Sequence, residues 1–168
     1  FMSKIQQCMA VLALTLVGLV GFDQESRAVE AANPVRVAEM QRTLRELWLG
    51  HIFSVQHVVL YTAKKDPMEL DAAEKEVVTN AKQIASAFTP YYGEARSEKL
   101  FTLLTGHYAA VKEYSAATIA GNTRQQNAAL AHFESNTDDI ATFFNGVNPQ
   151  HLPKDTIRGL IAAHVAHH

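Results

Sequence analysis

Residues 66–93 read DPMELDAAEKEVVTNAKQIASAFTPYYG, and this stretch decides the fold class. Asp66 is a favourable N-cap, and Pro67 suits the first helical position, where no backbone N–H is required. Glu69 then puts an acid in the first turn. Thr89-Pro90-Tyr91-Tyr92-Gly93 supplies the stop. Between start and stop, Ala73, Val77, Asn80, Ile84 and Ala87 follow one another at steps of four and three. That spacing turns one face of a helix toward a core. No segment of the chain alternates at period two in the way a half-buried strand would.

The same reading extends in both directions. A first helix is expected over 35–64. A third is expected over 94–120, ending on Gly121, and a fourth is started by Thr123 with Gln126 as a capping box and finishes near Asn145-Gly146. Asn148-Pro149 and Pro153 bracket a loop, and a shorter fifth helix begins near Lys154. Short connections make sequential helices antiparallel neighbours. The expected fold is all-α: an antiparallel four-helix-type bundle with an additional C-terminal helix, over residues 33–168, preceded by a hydrophobic leader over residues 1–32.

Each seam carries one polar residue near its middle. Helix one gives Leu44, Trp48, His51, Val55 and Val58. Helix three gives Leu100, Leu104, His107, Val111 and Tyr114. Helix four gives Ala129, Phe133, Asn136, Ile140 and Phe143, and helix five gives Ile157, Ile161, His164 and His168. Midpoints of antiparallel helices share a level, so His51, Asn80, His107, Asn136 and His164 are expected to form one layer. An unpaired buried polar group costs about 1–3 kcal/mol, so the layer has to satisfy itself or hold something.

Two accounts of that layer stand side by side. In one it is a hydrogen-bonded plane that sets helix register, as a buried Asn does in coiled coils. In the other, His51, His107 and His164 bind one transition-metal ion, zinc, copper or iron. Asp139 or water is then the fourth ligand, and Asn80 and Asn136 orient the imidazoles. Haem b between two histidines is the least favoured cofactor. His57, His132, His151, His167 and His168 are expected at the surface or the terminus, and Tyr91 and Tyr92 at a helix corner.

Composition narrows the function classes. Fifteen basic against seventeen acidic residues give a formal charge of -2, which offers no basic footprint for nucleic acid. The single cysteine, Cys8, lies in the leader, so the folded domain has no disulfide or Cys-type zinc site. No Glu-x-x-His, His-Glu-x-x-His, P-loop or Gly-x-Ser-x-Gly motif occurs, and no nucleophile–base pair is evident. A reaction is left open. Lys4 followed by an uncharged run from Met9 to Phe22, then Ser26-Arg27-Ala28, reads as a secretory signal, which implies a periplasmic or secreted protein. The alternative is an anchor in the inner membrane with the bundle outside the cytoplasm. On that reading residues 5–22 associate with the membrane or a membrane complex, and the bundle is a non-catalytic accessory or interaction subunit.

The run LRELWLGH over residues 44–51 resembles a W-x-x-H helix in a group of small bacterial helical-bundle proteins, often exported. Asn80, then the P-[YF]-Y-G segment at Pro90–Gly93, then L-L-x-x-H ending on His107 resembles the same group. So do the stretch from Phe133 to Pro149, through its N-x-[DE]-[DE]-I-A-x-F…N-P segment, and Leu160–His164, through a closing histidine helix. The resemblance spans nearly all of the chain after Pro34. It implies the bundle and the positions His51, Asn80, His107, Asn136, Asp139 and His164, without implying a reaction. Ser54 and Gln56 stand where those relatives carry Trp and Arg, so any role of that pair does not transfer.

Overall fold

In a computed structural model, described over residues 34–165, five helices follow one another with short turns. They are α1 (Pro34–Lys64), α2 (Pro67–Tyr92), α3 (Glu94–Ile119), α4 (Thr123–Val147) and α5 (Lys154–Val165). Residues 1–32, for which a leader is expected, and the terminal His167 and His168 lie outside the described residues. The fold is the all-α antiparallel four-helix bundle with a C-terminal helix. Among the described residues no helix is long and apolar enough to cross a membrane.

The caps explain where the helices begin and end. The Asp66 carboxylate accepts from the Glu69 N–H at 3.2 Å, as expected. The start of α4 differs by one residue: Asn122, not Thr123, is the N-cap and accepts from the Gln125 N–H at 3.1 Å. An amide oxygen on the non-helical residue just before the first turn meets that orphan donor, which leaves Thr123 inside the helix. Helix α2 runs through Pro90 to Tyr92 and stops at Gly93, whose φ of +81° favours glycine.

Comparison of the two hairpins exposes an internal repeat. Residues 44–88 and 100–144 align without a gap at an offset of 56, and twelve of the 45 pairs are identical. These include Leu47 with Leu103, Gly50 with Gly106, His51 with His107, Asn80 with Asn136, Ile84 with Ile140, and Phe88 with Phe144. The turns repeat too. Lys65 and Gly121 both take positive φ, 56° and 64°. Their N–H groups donate to the carbonyls of Thr62 and Thr118 at 3.2 and 3.1 Å. Asp66 and Asn122, the two caps, are also equivalent. The α1–α2 and α3–α4 hairpins are therefore copies of one unit, and α5 has no counterpart.

The core is divided in two by the polar layer. One cluster packs Leu44, Trp48, Ile84, Phe88, Leu100, Ile140 and Phe144 with Ile157 and Ile161 of α5. The other packs Val55, Val58, Val77, Tyr108, Val111 and Phe133. Helix α5 packs mainly on α4, and α1 touches α3 across the bundle. At the ends of two seams the stripe shifts: Tyr114 is exposed, and Phe144 is buried where Phe143 was expected. At 100° per residue a straight 4-3 stripe drifts off the core within a few turns, and the neighbouring position takes over.

Candidate functional site

Four of the five expected layer residues are buried: His51, Asn80, His107 and Asn136. His164 is half-buried. The three imidazoles come together. The His164 ring centre lies 6.5 Å from that of His51 and 6.2 Å from that of His107, with which it stacks. All three line a cavity of about 30 Å³, walled otherwise by Trp48, Leu104, Ile140, Phe144, Ile157 and Ile161. That is space for one or two waters.

Each asparagine anchors the helix turn that presents a histidine. Asn136 Nδ2 donates to the Leu103 carbonyl at 3.0 Å, and Asn80 Nδ2 donates to the Leu47 carbonyl at 2.9 Å. In an α-helix these carbonyls also accept the backbone N–H four residues on, which belongs to His107 and His51. Gly106 and Gly50 make the approach possible. A Cβ at Gly106 would lie 3.1 Å from Asn136 Nδ2, and one at Gly50 would lie 3.3 Å from Asn80 Nδ2. A glycine inside a helix costs about 1 kcal/mol against alanine, so the close crossing gives both glycines a physical reason. Neither glycine figures in the apolar-stripe reading. A self-comparison of the sequence at an offset of 56 would have found them.

The second hairpin goes further. His107 Nδ1 lies 3.0 Å from Asn136 Oδ1. The Asn136 amide orientation is set by its Nδ2 bond to Leu103, so Oδ1 is the acceptor and His107 Nδ1 carries the hydrogen. With Nδ1 as the donor, Nε2 is the acceptor nitrogen of a neutral imidazole. In the first hairpin, Asn80 Oδ1 is buried and has no hydrogen-bond partner among the described residues. The buried Trp48 Nε1, in the cavity wall, has none either.

Asp139 does not join the layer. It is exposed, because the buried arc of α4 (Phe133, Thr137, Ile140, Ala141, Phe144) extends from Asn136 away from it. At 100° per residue Asp139 stands about 120° from the middle of that arc. Its neighbour Asp138 instead pairs with Lys154 at 2.8 Å and so tethers the start of α5 to α4. The expectation of a carboxylate ligand from α4 is corrected accordingly. Among the described residues no group of three or more His, Cys, Asp or Glu stands at metal-holding spacing. His57, His132 and His151 are exposed, as expected, and His132 lies 3.1 Å from Glu113. Tyr91 and Tyr92 pack at the edge of the core, and burial raises the Tyr92 hydroxyl pKa against a smaller lowering by Arg96.

No protein-family model, curated protein or solved structure matches the chain.

Proposed function

We propose that this protein binds one transition-metal ion through the imidazoles of His51, His107 and His164. The observation that carries the reading is the convergence of three histidines, from α1, α3 and α5, on one small cavity. The orientation of His107, with Nδ1 committed to Asn136, agrees with it. Metal–nitrogen bonds of about 2.0–2.1 Å would set ring centres roughly 5–5.5 Å apart in a tetrahedral site. The present separations of 6.5 and 6.2 Å therefore need a closure of about 1 Å, and α5, the shortest helix, is the natural element to move. With Asp139 outside, the protein ligands are all neutral. Zinc, copper or iron bound here keeps its charge inside an apolar wall, and water or a small anion takes the remaining position. An exported, periplasmic or secreted protein accords with the leader sequence.

Elemental analysis of protein purified without an affinity tag tests the reading. One equivalent of metal is expected, and a chelator is expected to lower the Tm of wild type but not of His107→Ala. Identical melting with and without chelator, in protein that carries no metal, would sink it. A second reading is then the better one: an accessory or interaction subunit whose polar layer sets register. Exposed Leu49, Phe53 and Leu60 on α1, which fall on one stripe at 100° per residue, favour that outcome.

A further inference from the structure

The internal repeat bears on how the site works. A leucine carbonyl, an interior glycine, a histidine and an asparagine from the following helix recur as Leu47-Gly50-His51-Asn80 and Leu103-Gly106-His107-Asn136. Both asparagines donate Nδ2 to the leucine carbonyl, at 2.9 and 3.0 Å. Both pass their amide over the glycine, at 3.3 and 3.1 Å from its virtual Cβ. Sequential helices are antiparallel, so α1 and α3 run the same way and lie diagonally opposite, in contact across the bundle. In the repeat His51 corresponds to His107, although α2 packs on α3 and α1 does not pack in the same way on α4. His164, nearly equidistant from both rings, is the ligand without a counterpart.

One bond departs from this equivalence. His107 Nδ1–H donates to Asn136 Oδ1 at 3.0 Å, whereas Asn80 Oδ1 is buried without a hydrogen-bond partner among the described residues. A buried acceptor of that kind is costly to leave unused. We infer that Asn80 is the positioning residue for His51: when the ion binds, His51 Nδ1–H donates to Asn80 Oδ1, so that His51 and His107 present Nε2 as an equivalent pair on the bundle axis. This rests on the metal reading above. The neighbours of the two rings differ, since Trp48 packs edge-on against His51 at 5.6 Å and Phe133 against His107 at 5.4 Å. The repeat puts Leu104 and Val77 at the corresponding positions. Ion binding supplies the pull that turns the first ring to match the second, and the asparagine holds it there.

The test uses full-length protein labelled with nitrogen-15 at histidine and titrated with zinc chloride. With one equivalent of Zn2+, nitrogen-15 spectra are expected to show both His51 and His107 as Nδ1–H tautomers coordinated through Nε2. Asn80→Leu and Asn136→Leu are each expected to weaken zinc binding by about 10–100-fold. Asn80→Asp, which keeps the acceptor and loses the amide donor, should stay within a few-fold of wild type. A role confined to anchoring the Leu47 carbonyl would give the opposite order for Leu and Asp. Coordination of His51 through Nδ1, seen in wild type with no variant involved, overturns the inference. So does an Asn80→Leu protein that binds zinc as tightly as wild type while Asn136→Leu does not. Wild type that takes up no zinc is a separate outcome, and it overturns the metal reading together with this one.

Discussion

The turns that carry His51 and His107 share the sequence Leu-x-x-Gly-His, yet they hold their imidazoles to different degrees. Around His107 the Asn136 side chain is used at both ends, binding the Leu103 carbonyl and the ring nitrogen. Around His51 the Asn80 side chain binds the Leu47 carbonyl, and its oxygen is left over. Both histidines and both asparagines are buried, so burial of these four residues does not distinguish the two sites. A different aromatic ring leans on each imidazole: Trp48 from the same helix in one case, Phe133 from the neighbouring helix in the other. Duplicated scaffolds keep their backbone hydrogen bonds, while a few large side chains suffice to make the two halves chemically distinct.

Core truncation should show the two halves to be equal. Ile84→Ala and Ile140→Ala remove corresponding, buried side chains and are each expected to cost about 2–5 kcal/mol in urea denaturation. Values differing by more than about 2 kcal/mol would break the equivalence of the hairpins. The asparagines should then separate them. Asn136→Leu takes the Asn136 partner from a ring N–H and the second hydrogen bond from a carbonyl that keeps its helical one, whereas Asn80→Leu takes only such a second hydrogen bond and removes an unused oxygen. In metal-free protein Asn136→Leu should cost about 1–2 kcal/mol more, since each buried group left without a partner costs about 1–3 kcal/mol. Equal losses would mean that the His107–Asn136 bond contributes nothing to stability.

Smaller effects sharpen the comparison. The caps Asp66 and Asn122 make matching bonds to Glu69 and Gln125. Asp66→Ala and Asn122→Ala should each lower stability by about 1 kcal/mol. The glycines should part company in sign. Alanine at either position gains helix propensity worth about 1 kcal/mol. At Gly106 the new methyl meets an amide held from both sides 3.1 Å away, and at Gly50 one held from one side at 3.3 Å. Gly106→Ala is expected to melt below wild type and Gly50→Ala at or above it. The reverse order would show that Asn136 yields more easily than Asn80.

Much of this molecule was legible in its residues because helices are local. Caps, breakers and the four-three spacing of apolar residues depend on neighbours a few positions away, and they located all five helices and the polar residue in each seam. The repeat was legible as well, though only by setting the chain against itself; a helix-by-helix reading passes over Gly50 and Gly106, because nothing within one helix explains them. The N-cap of α4 was displaced by one residue because Asn122 and Thr123 are both capable caps. The backbone conformation at Asn122 chose between them.

By itself the sequence determined the all-helical class, the antiparallel order and the shared level of His51, Asn80, His107, Asn136 and His164. These follow from periodicity and segment length alone. The tertiary structure decided that Asp139 faces out, that α5 lodges Ile157 and Ile161 in the core beside Trp48 and Phe144, and that one asparagine oxygen engages its histidine while the other has no hydrogen-bond partner among the described residues. A residue about 120° from the centre of a buried arc points wherever the partner helix leaves room. The hydrogen bond an imidazole makes depends on a side chain from another helix, as Asn136 does for His107. Both depend on how helices distant in sequence pack, and no local pattern encodes that.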